Sequence, residues 1–87
     1  MAGIPPAGPP VKRSVTIAGH ETSIALEPMF WAALNQAALR RKLPLNALIA
    51  QIDAERLEGS RPANLASAIR QWLFVEAAGS GQDGVGE

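Results

Sequence analysis

The sequence predicts an α+β fold: a β-hairpin or strand, two helices in quick succession and a third, C-terminal helix, closed by association with a second copy. Three observations predict it. Apolar residues alternate with small or polar ones in two short runs, at Val15 and Ile17 and again at Ile24 and Leu26, then recur at helical spacing from Phe30. Leu43-Pro44 breaks the helical period once, and the cluster L-E-G-S-R-P-A-N at 57–64 breaks it again. The chain has 87 residues, with Pro- and Gly-rich ends, and no Cys. What remains between the ends is too short to bury a self-sufficient core. Disulfides and thiolate metal sites are excluded, and His20 is the single imidazole. Oligomerisation is the remaining way to complete the interior.

Residues 1–11 read as a flexible Pro/Gly-rich arm. A domain follows over 12–78. Its hairpin turns at Gly19-His20, which suits a two-residue II′ turn. That register pairs Ala18 with Glu21, Thr16 with Ser23 and Val15 with Ile24. Val15, Ile17, Thr22, Ile24 and Leu26 then share the core face. Lys12, Ser14, Thr16, Ala18, Glu21, Ser23 and Ala25 share the other, which is small and polar.

The first helix starts near Pro28, where a missing N–H costs nothing, with Glu27 at the positive end of the dipole. Phe30, Leu34, Ala38 and Arg41 form its stripe, with Trp31 and Ala37 beside it. Arg40, Arg41 and Lys42 close its last turn. Those cations suit the carbonyl end of a helix, and a phosphate-facing patch is the alternative. The second helix runs from Pro44 or Leu45 to Ala54 or Glu55 and buries Leu45, Leu48, Ile49 and Ile52. Asn46 lies in its first turn. The third runs from Leu65 to Ala78, capped by Asn64, or starts earlier from Ser60. Leu65, Ile69, Trp72 and Leu73 make its stripe, while Phe74 and Val75 lie partly off it, as on a helix facing two surfaces. Gly79 stops it, and 79–87 reads as a disordered Gly-rich tail.

No catalytic set emerges, so the chain is not expected to be an enzyme and no cofactor or small-molecule substrate is expected. Ser residues lack a neighbouring base, and Asp53 and Glu55 stand two apart on a helix, facing different ways. No apolar run approaches the roughly 18 residues of a membrane span, and no secretory signal is evident, so a cytoplasmic protein without membrane contact is expected. From Lys12 to Ala78 there are eight basic and six acidic residues, a weak basic footprint for nucleic acid.

Lys12 to Trp31 reads K-R-S-V-T-I-A-G-H-E-T-S-I-A-L-E-P-M-F-W, Leu43 to Asp53 reads L-P-L-N-A-L-I-A-Q-I-D, and Asn64 to Arg70 reads N-L-A-S-A-I-R. In this order and spacing the stretches resemble the ribbon-helix-helix superfamily, and within it a subfamily of short bacterial ribbon-helix-helix domain proteins. The resemblance implies an intertwined homodimer whose strands pair antiparallel and enter the major groove. It implies a dimer core of Ile24, Leu26, Phe30, Leu34, Leu48, Ile49 and Ile52. Lys12 and Arg13 would reach phosphates, Glu21, Ser23 and Ala25 would face bases, and Leu45 with Asn46 would hold a phosphate on backbone N–H groups. A small DNA-binding transcriptional regulator follows. The alternative is an antitoxin-like interaction module that binds a second protein through Trp72, Phe74 and Val75.

Two features set this chain apart from that pattern. Superfamily ribbons usually carry basic or amide residues where Glu21, Ser23 and Ala25 stand. A hairpin from each chain also gives a four-stranded sheet, roughly 14 Å wide between outer strand centres, against a major groove of about 12 Å. Either the first strand leaves the sheet on DNA, or the docking differs, or DNA is not the ligand.

Overall fold

The computed structural model describes residues 8–59 and 64–85, with 80–85 as backbone only. Residues 1–7 of the expected arm and the alternative cap Ser60 lie outside the described residues. In chain order the elements are β1 (Val11–Ile17), β2 (His20–Leu26), α1 (Pro28–Arg41), α2 (Leu45–Glu58) and α3 (Leu65–Val85).

Antiparallel pairing joins β1 to β2 from Val11 opposite Leu26 to Ile17 opposite His20. Ala18 and Gly19 therefore hold the centre of the turn, with φ of 51° and 84°, the double positive φ of a I′ turn. The expected turn at Gly19-His20 is corrected, and so are its pairs. Thr16 faces Glu21, Val15 faces Thr22 and Ser14 faces Ser23. A tertiary contact explains the choice: the Trp31 Nε1–H donates to the Val11 carbonyl oxygen at 2.9 Å. In the expected register Val11 would overhang the end of β2. The turn moves by one residue, so pairs change but side-chain parity does not. Val15, Ile17, Ile24 and Leu26 are buried on one face as expected.

Pro28 opens α1, and the N–H groups of Phe30 and Trp31 donate to the Glu27 carbonyl at 2.9 and 3.1 Å. Its other end is closed by backbone alone. Lys42 adopts the left-handed conformation, with φ of 57°. Its N–H donates to the Leu39 carbonyl at 3.1 Å, and the Leu43 N–H donates to Ala38 at 3.0 Å.

α2 reaches Glu58, past the expected end at Ala54 or Glu55. No Gly or Pro interrupts the run before Gly59, whose N–H donates to the Arg56 carbonyl at 3.3 Å. At the start of α3 the Asn64 Oδ1 accepts from the Ser67 N–H at 2.8 Å, so the Asn64 cap is the one used. Running to Val85, α3 corrects the stop at Gly79 and the tail drawn from 79. A glycine costs about 1 kcal/mol against alanine in a helix interior, but it does not block the ladder as proline would. Extending a helix already packed at its start needs no new nucleus.

One core lies between the inner face of the hairpin and the three helices. β1 packs on α2, while β2 packs on α3 and α1. Of the residues expected to need a partner's cover, Ile24, Leu26, Leu34, Leu48, Ile49 and Ile52 are buried within one protomer. The argument from size is corrected to that extent: Ile69 and Leu73 of α3 close the interior that strand, helix and helix leave open. Phe30 is the exception and stays half-buried.

Candidate nucleic-acid interface

Strand alternation sets the outer face of the hairpin. Residues facing away from the core are Lys12, Ser14 and Thr16 on β1 and Glu21, Ser23 and Ala25 on β2. The register sets Lys12 opposite Ala25, Ser14 opposite Ser23 and Thr16 opposite Glu21. All are exposed except Ala25, which is intermediate. The result is a flat patch of small polar side chains with one cation at one end and one carboxylate near the turn.

Arg13 is not on this patch. It follows the inner parity, opposite Ile24, and its guanidinium carbon lies 5.2 Å from the Trp31 ring centroid. Lys12 and Arg13 thus leave β1 on opposite faces. Sequence reasoning grouped both as phosphate contacts, although neighbours on a strand leave it on opposite faces.

The start of α2 has Pro44 as N-cap, and no side-chain hydrogen bond caps it. The Ala47 and Leu48 N–H groups donate to the Pro44 carbonyl at 3.0 and 3.1 Å. The N–H groups of Leu45 and Asn46 precede any intrahelical acceptor. Asn46 is exposed and Leu45 half-buried. This turn presents free donors at the positive end of a helix dipole.

Most of the cations are already engaged. Arg41 donates from Nη2 to both carboxylate oxygens of Glu76, at 2.8 and 2.7 Å, and lies 4.9 Å from the Trp72 ring centroid. Arg40 comes within 4.0 Å of the same carboxylate. Two of the expected basic trio, Arg40 and Arg41, therefore tie α1 to α3. Arg56 pairs with Asp53 within α2 at 2.7 Å. Arg70 donates from Nε and Nη2 to Glu27 Oε1 at 3.0 and 2.9 Å and lies 5.7 Å from the Phe30 ring centroid. Among the described residues, Lys12 and Lys42 are the cations without an ion pair or ring contact.

Sequence reasoning missed the Glu27–Arg70 pair. Both residues belong to the quoted stretches, but they stand 43 positions apart, and nothing local signals the contact. The Glu27 carboxyl is held below the usual glutamate range, first by its own backbone N–H and then by Arg70. The pair locks the end of β2 to α3 where α1 begins.

Among the described residues no three His, Cys, Asp or Glu side chains converge to hold a metal. Nor, among the described residues, is any helix long and apolar enough to cross a membrane. Comparison with protein families matches residues 10–77 to the ribbon-helix-helix domain. Comparison with curated proteins and with solved structures gives no match.

Proposed function

The chain belongs to the ribbon-helix-helix domain family, and on that premise we propose that it acts as a homodimer that binds duplex DNA as a small transcriptional regulator. Domains of this family are typically DNA-binding regulators or antitoxins, and they are generally not enzymes. The observation that carries the reading is the outer face of the hairpin. β2 turns Glu21, Ser23 and Ala25 away from the buried Ile24 and Leu26, and the register adds Lys12 and Ser14 to them.

In this reading β2 pairs with its counterpart along its open edge and Ser23 and Ala25 meet base edges. Ser23 accepts or donates to several bases, Ala25 touches a thymine methyl, and Glu21 accepts from a cytosine amine. Lys12 and the N–H groups of Leu45 and Asn46 hold phosphates. While β1 stays docked, Arg13 lies beneath the strand, over Trp31. Seating this ribbon in the groove requires β1 to swing off β2, because the four-stranded sheet is wider than the groove.

Among the described residues few cations are free, and few free cations mean few released counterions. With Lys12, or Lys12 and Lys42, on each of two protomers, log K should fall against log salt with a slope of about −2 to −4. Titration of a labelled mixed-sequence duplex between about 50 and 200 mM salt reads this slope. Binding that ignores salt, or none at the low end, sinks the reading.

A specific observation favours a second reading, an antitoxin-like module that binds another protein. Val75 is 66% exposed on α3. It borders a groove of about 300 Å³ between α2 and α3 that Ile52 and Trp72 also line. Trp72 is half-buried under Arg41 and acts there as a wall rather than a protruding contact.

A further inference from the structure

Phe74 lies one helical step from Val75 and faces a different groove. Its ring is 74% exposed and forms one side of a cleft of about 400 Å³ between α1 and α3, lined also by Met29, Phe30, Ala33, Leu73 and Ala77. Almost every lining group is apolar. The core already holds Leu73 from its other side, so burial within the chain does not account for Phe74 or Met29.

We infer that this cleft is the helical half of a two-fold interface with a second copy of the chain, Phe74 of each protomer entering the cleft of the other. The inference rests on the dimer reading above and names the surface on which it closes.

Four observations select a second copy as occupant. A two-fold interface needs a knob and a hole on the same surface, and Phe74 and the cleft beside it are that combination. Charge is the second. A patch of one sign repels its own image across a two-fold axis. Here Arg70, the charged residue that lines the cleft, is neutralised in place by Glu27.

Position is the third. Among the described residues the sheet has two strands and β2 has an unpaired edge, and β2 is the strand that packs on α1 and α3. The strand runs through Glu27 straight into Pro28 and the cleft residues Met29 and Phe30. The chain therefore leads from the open edge of β2 directly into the cleft.

Area is the fourth. Two Phe74 rings and the walls they cover remove on the order of 600 Å² from water. That is about half of what a stable interface buries. The cleft is thus too small to hold two chains alone, and paired β2 edges supply the remainder. Assigning Phe74 to this contact leaves the Val75 groove as the surface open to a different protein.

Two measurements on the full chain test it. The first is solution mass against concentration for wild type and Phe74→Asp, each checked for native helix content by circular dichroism. The expected result is a dimer whose dissociation midpoint rises about tenfold or more in the variant. The second uses wild type alone: the rate of Met29 oxidation by peroxide, above and below the midpoint. The expected result is several-fold slower oxidation in the dimer. An unshifted midpoint in folded Phe74→Asp overturns the cleft interface. So does a Met29 rate that is equal in dimer and monomer, including one held low at all concentrations by residues 1–7. In either case a dimer through β2 alone survives. A wild-type mass that stays monomeric at every concentration removes the dimer reading itself. Should Phe74→Asp not fold, the Met29 rates decide.

Discussion

The two faces of the β1–β2 hairpin alternate along the same residues and obey different rules. On the inner face Val15, Ile17, Ile24 and Leu26 are sealed against three helices. On the outer face Ser14, Thr16, Glu21 and Ser23 touch water and each other. One residue of slip in the chain would exchange the two sets. The inner face therefore fixes which side chains the outer face displays, while the outer face leaves the fold nearly indifferent to what it carries. The face that displays chemistry is free to vary; the face that positions it is not.

The largest test of that contrast is Leu26→Ala. Leu26 is fully buried at the end of β2, and its truncation should cost about 2–5 kcal/mol in urea unfolding. A loss near zero would mean the inner row is not what holds the sheet. The turn joining the faces offers a gain instead. Ala18 sits at φ 51°, where a Cβ is unfavourable and asparagine is tolerated. Ala18→Asn should stabilise by about 0.5–1 kcal/mol with outer-face contacts unchanged, as read by the thermal midpoint.

Next comes Glu27, where the inner row meets α1. Its carboxyl titrates lower folded than unfolded. The stabilisation is therefore present above the ordinary glutamate range and is lost as pH falls through the depressed value. Glu27→Gln should flatten that acid-side loss and leave the profile above neutrality parallel to wild type. Equal acid sensitivity in both proteins would show that the Arg70 contact has no such role. The smallest effect on stability belongs to the outer face. Ser23→Ala should move unfolding by less than about 0.5 kcal/mol, yet it should alter the base preference of any duplex bound.

The sequence carried the faces but not the pairs. Alternation at Val15, Ile17, Ile24 and Leu26 was enough to name the buried row, because parity survives a change of turn. The turn residues were not legible: alanine rarely takes positive φ, and Gly19-His20 by itself fits a II′ turn. Trp31 and Val11, twenty positions apart, decided the matter. Helix starts were readable from Pro28, Pro44 and Asn64. Helix ends were not, since Lys42 closes α1 without a glycine and Gly79 fails to close α3. At the candidate site, alternation placed Ser23 and Ala25 correctly on the outer face. Arg13 and the Arg40–Arg41 pair were engaged by Trp31, Trp72 and Glu76, partners too distant in the chain for local spacing to reveal.

The indole of Trp31, 2% exposed and tethered to the Val11 carbonyl, makes the first strand optically visible. While β1 stays docked, that chromophore should emit at short wavelength. A β1 that swings away would hydrate it and shift its emission to the red. With Trp72→Phe removing the second emitter, a single cuvette reports whether the hairpin opens as its ligand arrives.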